Sequence, residues 1–175
     1  MKKSLLLLPL ITLSLISFQS SAYIILKKDK VQQHNMALDI KGGFGYKLGD
    51  KVQDGDVLSS EKLSDGSYLR KVVDKAPVEG IENYYVLTDK NSKIYAVYGN
   101  TNFKTSEECE KAFNTHLPVL QKEFPYLKKM KNRPFTYIGG DASRWVEITC
   151  TGNINGSYKF FIKYQTEFPV LYELL

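Results

Sequence analysis

Four acidic side chains fall within twelve residues in the run Asp50-Lys-Val-Gln-Asp-Gly-Asp-Val-Leu-Ser-Ser-Glu61. Carboxylates packed this closely suggest a hard-cation site, because calcium gathers its oxygen ligands from one short loop. Against a twelve-residue calcium loop, Asp50, Asp54, Asp56 and Glu61 fall at positions 1, 5, 7 and 12, with Gly55 at the turn position 6. Position 3 is Val52, which offers no oxygen, and the flanks are glycine-rich rather than helical. An exposed turn explains the same residues, since Asp and Gly serve turn geometry in their own right.

A second cluster is basic. Lys122, Lys128, Lys129, Lys131 and Arg133 alternate with Phe124, Tyr126, Phe135 and Tyr137. Such a stretch can grip an acidic protein surface, a lipid head group or a nucleic acid, and it reads equally as a solvated loop. The two histidines, His34 and His116, have neither a second histidine nor a spare cysteine at metal-binding spacing. The chain contains no G-x-S-x-G, no H-E-x-x-H and no phosphate-cradling G-x-x-x-x-G-K. No catalytic residues and no cofactor are expected.

The third feature is a glycine-dense segment, Asp39-Ile-Lys-Gly-Gly-Phe-Gly-Tyr-Lys-Leu-Gly-Asp50. Glycine at this density predicts tight turns or close backbone approach rather than regular structure. Binding residues sit preferentially on loops carried by a rigid scaffold. Gly42, Gly43, Phe44, Gly45, Tyr46 and Gly49 are therefore candidates for a binding surface, together with Lys128, Lys129, Lys131 and Arg133. The chain has 12 tyrosines. Those at 84, 85, 95, 98, 158 and 164 fall on strand-like runs, and their amphipathic rings suit either a protein interface or a half-buried sheet.

The elements that must carry these groups are mostly strands. Tyr23–Lys28, Ser67–Val73, Tyr84–Thr88, Lys93–Tyr98, Arg144–Thr151, Ser157–Gln165 and Phe168–Leu174 read as strands, the fourth following the third through a hairpin turn. Tyr84–Thr88 and Lys93–Tyr98 carry apolar groups on both faces, as strands near the middle of a sheet do. Gly152-Asn-Ile-Asn-Gly156 joins the fifth and sixth as a second hairpin. Thr105 opens one helix, with Glu108 three residues on completing a capping box. Cys109, Ala112, Phe113, Leu117, Leu120 and Phe124 share one face of that helix, and Pro118 predicts a kink or a break within it. The expected fold is α+β, an antiparallel sheet with one main helix packed on one face.

Compartment follows from the first residues. Lys2 and Lys3, the apolar run Leu5–Ile16 and the small residues Ser20, Ser21 and Ala22 have the layout of a secretory signal cleaved after Ala22. The apolar run is about 12 residues, short of the ~20 that cross a bilayer as a helix. No cysteine lies at the cut, so no lipid anchor is expected, and no arginine pair precedes the apolar run. The expected organisation is a signal over 1–22 and one globular domain over 23–175, in the periplasm or secreted. Cleavage removes two of the 24 basic residues and none of the 19 acids, leaving a mild charge of +3. That charge and that compartment argue against a nucleic-acid partner, and the mature part has no apolar stretch long enough to anchor it. Export also places Cys109 and Cys150 in an oxidising compartment, where they are expected to pair and staple the helix to the sheet.

The segment Gly42-Gly-Phe-Gly-Tyr-Lys-Leu-Gly-Asp50, followed by Tyr84-Tyr-Val-Leu-Thr, Lys93-Ile-Tyr-Ala and Cys109 opening a helix, resembles small exported proteins of Gram-negative bacteria. The resemblance covers residues 40–127 and implies no catalytic residues. Some small periplasmic domains inhibit lysozymes, but the loop pattern S-G-x-x-Y of those inhibitors is only approached by Ser64-Asp-Gly-Ser-Tyr68. The expected function is non-catalytic: binding a protein partner in the bacterial envelope, as an inhibitor, an immunity-like protein or an accessory. An envelope hydrolase with a carboxylate site and a secreted factor acting on a host are the alternatives.

Overall fold

Period-two alternation governs most of the chain, and a sheet is the result. The computed structural model describes residues 39–141 and 143–166. The expected signal over 1–22 and the strand-like runs Tyr23–Lys28 and Phe168–Leu174 lie outside them. The glycine-dense segment folds into a small two-stranded hairpin, β1 (Gly42–Gly43) and β2 (Tyr46–Lys47). Eight further strands form one antiparallel sheet: β3 (Val57–Lys62), β4 (Tyr68–Val72), β5 (Asn83–Thr88), β6 (Ile94–Phe103), β7 (Lys128–Lys129), β8 (Thr136–Gly140), β9 (Arg144–Gly152) and β10 (Tyr158–Thr166). Their spatial order is β3-β4-β5-β6-β10-β9-β8-β7. β6 and β10 lie side by side at the middle, and the polar strands β3 and β7 take the edges.

One helix, α1 (Ser106–Glu123), interrupts the strands. It starts where the capping box predicts. The Thr105 hydroxyl accepts from the Glu108 N–H at 3.3 Å, and the Glu108 carboxylate accepts from the Thr105 N–H at 3.3 Å. Two of the orphan donors of the first turn are satisfied in this way. The expected break at Pro118 does not occur. Pro118 lies on the exposed side, while Phe113 and Leu120, buried on either side of it, hold both halves against the sheet.

Helix and glycine hairpin cover the same face. α1 packs over β9, β10 and β6, and β1 and β2 pack over β6 and its neighbours. Beneath them lie Val86, Val97, Val146, Ile148, Phe160 and Ile162, each 4% exposed or less. Cys109 of α1 is bonded to Cys150 of β9, with Cα atoms 5.8 Å apart. The helix is thus tied to the sheet as the periodicities predict. Closing a loop of 41 residues in the unfolded chain is worth about 4 kcal/mol on a chain-entropy model.

Glycine makes the close packing of the hairpin possible. A Cβ on Gly43 would lie 2.2 Å from the Tyr164 ring, and one on Gly99 of β6 would lie 2.6 Å from the Phe44 ring. Phe44 itself adopts a left-handed backbone, φ 54°, that points its ring into the core. There it meets Tyr84 and Tyr164 edge-on, with centroids 5.2 and 5.8 Å away.

Candidate functional site

The structure seats the glycine segment against the core. Phe44 and Tyr46 are 7% and 4% exposed, and Ile40 and Leu48 are also buried. The Tyr46 hydroxyl donates to the Val73 carbonyl at 2.9 Å, and the Lys75 ammonium sits over its ring at 4.8 Å. Burial, with the charges of Asp56 and Asp74, pushes the Tyr46 hydroxyl up to about 12. Gly42, Gly43 and Gly45 therefore belong to a hairpin that covers the core with Phe44 and Tyr46, while Gly45 at its tip and Gly49 after it are exposed.

The acidic run does not converge. Asp54 and Asp56 lie in a 3-10 turn, and Asp56 pairs with Lys75 at 2.5 Å. Val57–Lys62 is a strand rather than the second half of a loop, so Glu61 is carried outward along β3 opposite Leu69. Among the described residues no group of three or more His, Cys, Asp or Glu comes together as a metal site.

The basic stretch is split by the pleat. Lys128 pairs with Ile138 and Lys129 with Tyr137, so the two lysines leave β7 on opposite faces. Lys131 and Arg133 follow in the exposed turn before β8. Phe135 and Tyr137 are not loop residues in solvent. Both pack against Phe113 of α1, with centroids 5.7 and 5.9 Å away.

What the register does bring together is the sheet face opposite the helix. Residues directly opposite in antiparallel strands share a face. The pairings therefore trace one continuous row across all eight strands: Ser59, Lys71, Tyr85, Tyr98, Lys163, Glu147, Ile138 and Lys128. Beside it runs a more apolar row, with Leu69, Leu87, Gln165 and Trp145. Tyr85 and Leu87 are only half covered, so β5 is apolar on both faces but buried on one. Lysine outnumbers acid among the strand residues of this face. Lys71, Lys128, Lys159 and Lys163 face two glutamates, Glu61 and Glu147.

Lys163 is the centre of this face. Its ammonium lies 5.3 Å from the centroid of Tyr98 and 5.7 Å from that of Trp145. Rings at this range attract a cation through their negative faces. Burial lowers the Lys163 pKa, and the charge of Glu147 opposes that shift in part. Burial likewise raises the Tyr98 hydroxyl well above its usual range, with Tyr95 and Glu147 adding to it. Lys71, farther along the row, donates to the Asn83 side-chain oxygen at 2.9 Å.

At the β7 end the turn before β8 rises beside the face and forms an open groove of about 400 Å³. Arg133, Phe135, Glu147, Thr151 and Phe161 line it. Thr149 donates to the Phe135 carbonyl at 3.0 Å, which leaves the Thr136 hydroxyl to donate to Thr149. The floor is thus internally satisfied, and the rim supplies Arg133.

Lys71, Trp145, Glu147 and Lys163 were not candidates from the sequence. Alternation along Arg144–Thr151 and Ser157–Gln165 shows that Trp145, Glu147 and Lys163 leave the apolar side. Only the register between strands shows that they meet one another and Tyr98. No protein-family model, no curated protein and no solved structure matches the chain.

Proposed function

We propose that the chain is an exported, disulfide-stapled binding protein that recognises a protein partner in the bacterial envelope through the sheet face opposite the helix. The observation that carries this reading is the half-exposed row centred on Tyr98 and Lys163, with Trp145 beside it. A sheet face meant only for water has no need of Tyr85, Tyr98, Trp145, Phe161, Leu69 and Leu87 together. Rings of this kind supply most of the energy at the centre of protein interfaces. The disulfide suits an oxidising compartment. Among the described residues no helix is long and apolar enough to cross a membrane.

Capture from envelope extract tests the reading, with the wild-type chain and the Tyr98→Ala/Trp145→Ala variant immobilised side by side. Circular dichroism establishes that both are folded. Proteins retained by the wild type and lost by at least tenfold on the variant are the expected result. Equal retention by the two chains would overturn the reading.

A further inference from the structure

The three lysines of the central row are evenly spaced. Lys71 on β4 and Lys163 on β10 are three strands apart, and so are Lys163 and Lys128 on β7. Neighbouring strands lie 4.7–4.9 Å apart, so each interval is about 14 Å. An extended peptide advances 3.2–3.4 Å per residue and turns every second side chain to the same side, so residues i and i+4 are about 13 Å apart. The length and mobility of a lysine side chain absorb the difference. Tyr85 and Tyr98 fill the first interval, giving the peptide apolar area to lie on between its charges.

We propose that this face, on which no described helix or strand packs, accepts an extended acidic segment of a partner protein, laid across the strands, whose carboxylates at i, i+4 and i+8 meet Lys71, Lys163 and Lys128. This rests on the reading of that face as the binding surface and adds the chemistry of its occupant. Charge supports the choice. Lys163 lies between two rings with Glu147 opposite it in the register, and among the described residues no carboxylate comes within ion-pair distance, so an incoming carboxylate can pair with it directly. Its partial burial strengthens such a pair relative to one formed in water. Glu147, between Lys163 and Ile138 in the row, disfavours a uniformly anionic sheet such as a lipid surface. It suits a segment that carries a basic residue next to its central acid.

The test uses the purified chain and two fluorescent nine-residue peptides of one composition. One has glutamates at positions 1, 5 and 9, and the other has the same residues rearranged. Anisotropy is read at low and moderate salt. The spaced peptide is expected to bind at least tenfold more tightly than the rearranged one. Lys163→Gln should weaken that binding about tenfold, and so should Lys128→Gln, which is exposed at the sheet edge and cannot disturb the core. Added salt should weaken it further. Equal binding of the two peptides would overturn the spacing, and binding unchanged in both variants would overturn the site. Polygalacturonate and vesicles of anionic phospholipid serve as parallel probes. If either binds in a Lys163-dependent way and the spaced peptide does not, a glycan or a membrane replaces the peptide and the proposal falls. If the peptide fails while capture from envelope extract is still lost on Tyr98→Ala/Trp145→Ala, only the acidic occupant is wrong. If both fail, the face is not a binding surface.

Discussion

The two faces of the sheet are built from the same strands, one residue out of step, and they do opposite things. On β10, Phe160, Ile162 and Tyr164 are buried beneath α1 and the glycine hairpin, while Phe161 and Lys163, between them in sequence, are half exposed on the other side. The covered face is closed twice over: a disulfide ties down the helix, and glycines let the hairpin sit within van der Waals reach of the strands. The opposite face has neither device among the described residues, yet it carries Tyr85, Tyr98, Trp145 and Phe161. Rings under a cover are explained by stability, because burying a large apolar side chain is worth about 1.5–3 kcal/mol. Rings left half open to water, as Tyr85, Trp145 and Phe161 are, are not explained in that way.

Adjacent phenylalanines provide the strongest break of this comparison. Phe160→Ala should cost about 3–5 kcal/mol, because it empties a fully buried position under His116 and the helix. Phe161→Ala should cost about 1 kcal/mol, because water already reaches that ring. Urea denaturation of the two variants measures both. Similar losses would mean that the second face is as closed as the first.

Gly99→Ala probes how the cover is fitted, with a smaller effect. The added methyl would meet the Phe44 ring at 2.6 Å and Ile81 at 3.0 Å. Phe44 has little room to retreat between Tyr84 and Tyr164, so a loss of about 1–3 kcal/mol is expected. An unchanged denaturation midpoint would show that the hairpin is only loosely seated.

These same residues mark where sequence reasoning succeeds and where it stops. Elements with a buried face were legible: the capping box at Thr105, the apolar stripe of α1, the alternation of β9 and β10, and the cysteine pair. Elements without one were not. β3 is exposed along nearly its whole length, so Val57–Lys62 shows no period to read. β8 ends in Gly139-Gly140, which reads as a turn, whereas Gly139 leaves room for the Tyr126 ring. The glycine segment was legible as turns and close approach, but not as a cover for the core. Glycine serves a mobile loop and a crowded core equally well, and only the neighbours of Gly43 and Gly99 distinguish the two. The row through Lys163 depends on which residue faces which across eight strands, and register of that kind leaves no local pattern.

The smallest expected effect is a pH dependence confined to the covered face. His116 lies flat on Phe160, with centroids 5.3 Å apart. Burial lowers its pKa from 6.5, and a backbone hydrogen bond and the charge of Glu79 only partly oppose the shift. Below pH 6.5 the unfolded chain binds a proton that the folded chain resists, so stability rises with pH across that range. The contribution is complete above about pH 6.5 and is lost as the pH falls through the lower folded value. The carboxylate of Asp65, held below 3.8 by its bonds to Ser67, titrates well beneath this window. His116→Phe keeps a ring on Phe160 and removes the titration. Thermal melts at pH 7.5 and pH 5.0 should therefore show a larger fall in Tm for the wild-type chain than for the variant. Equal falls would place the titrating group elsewhere.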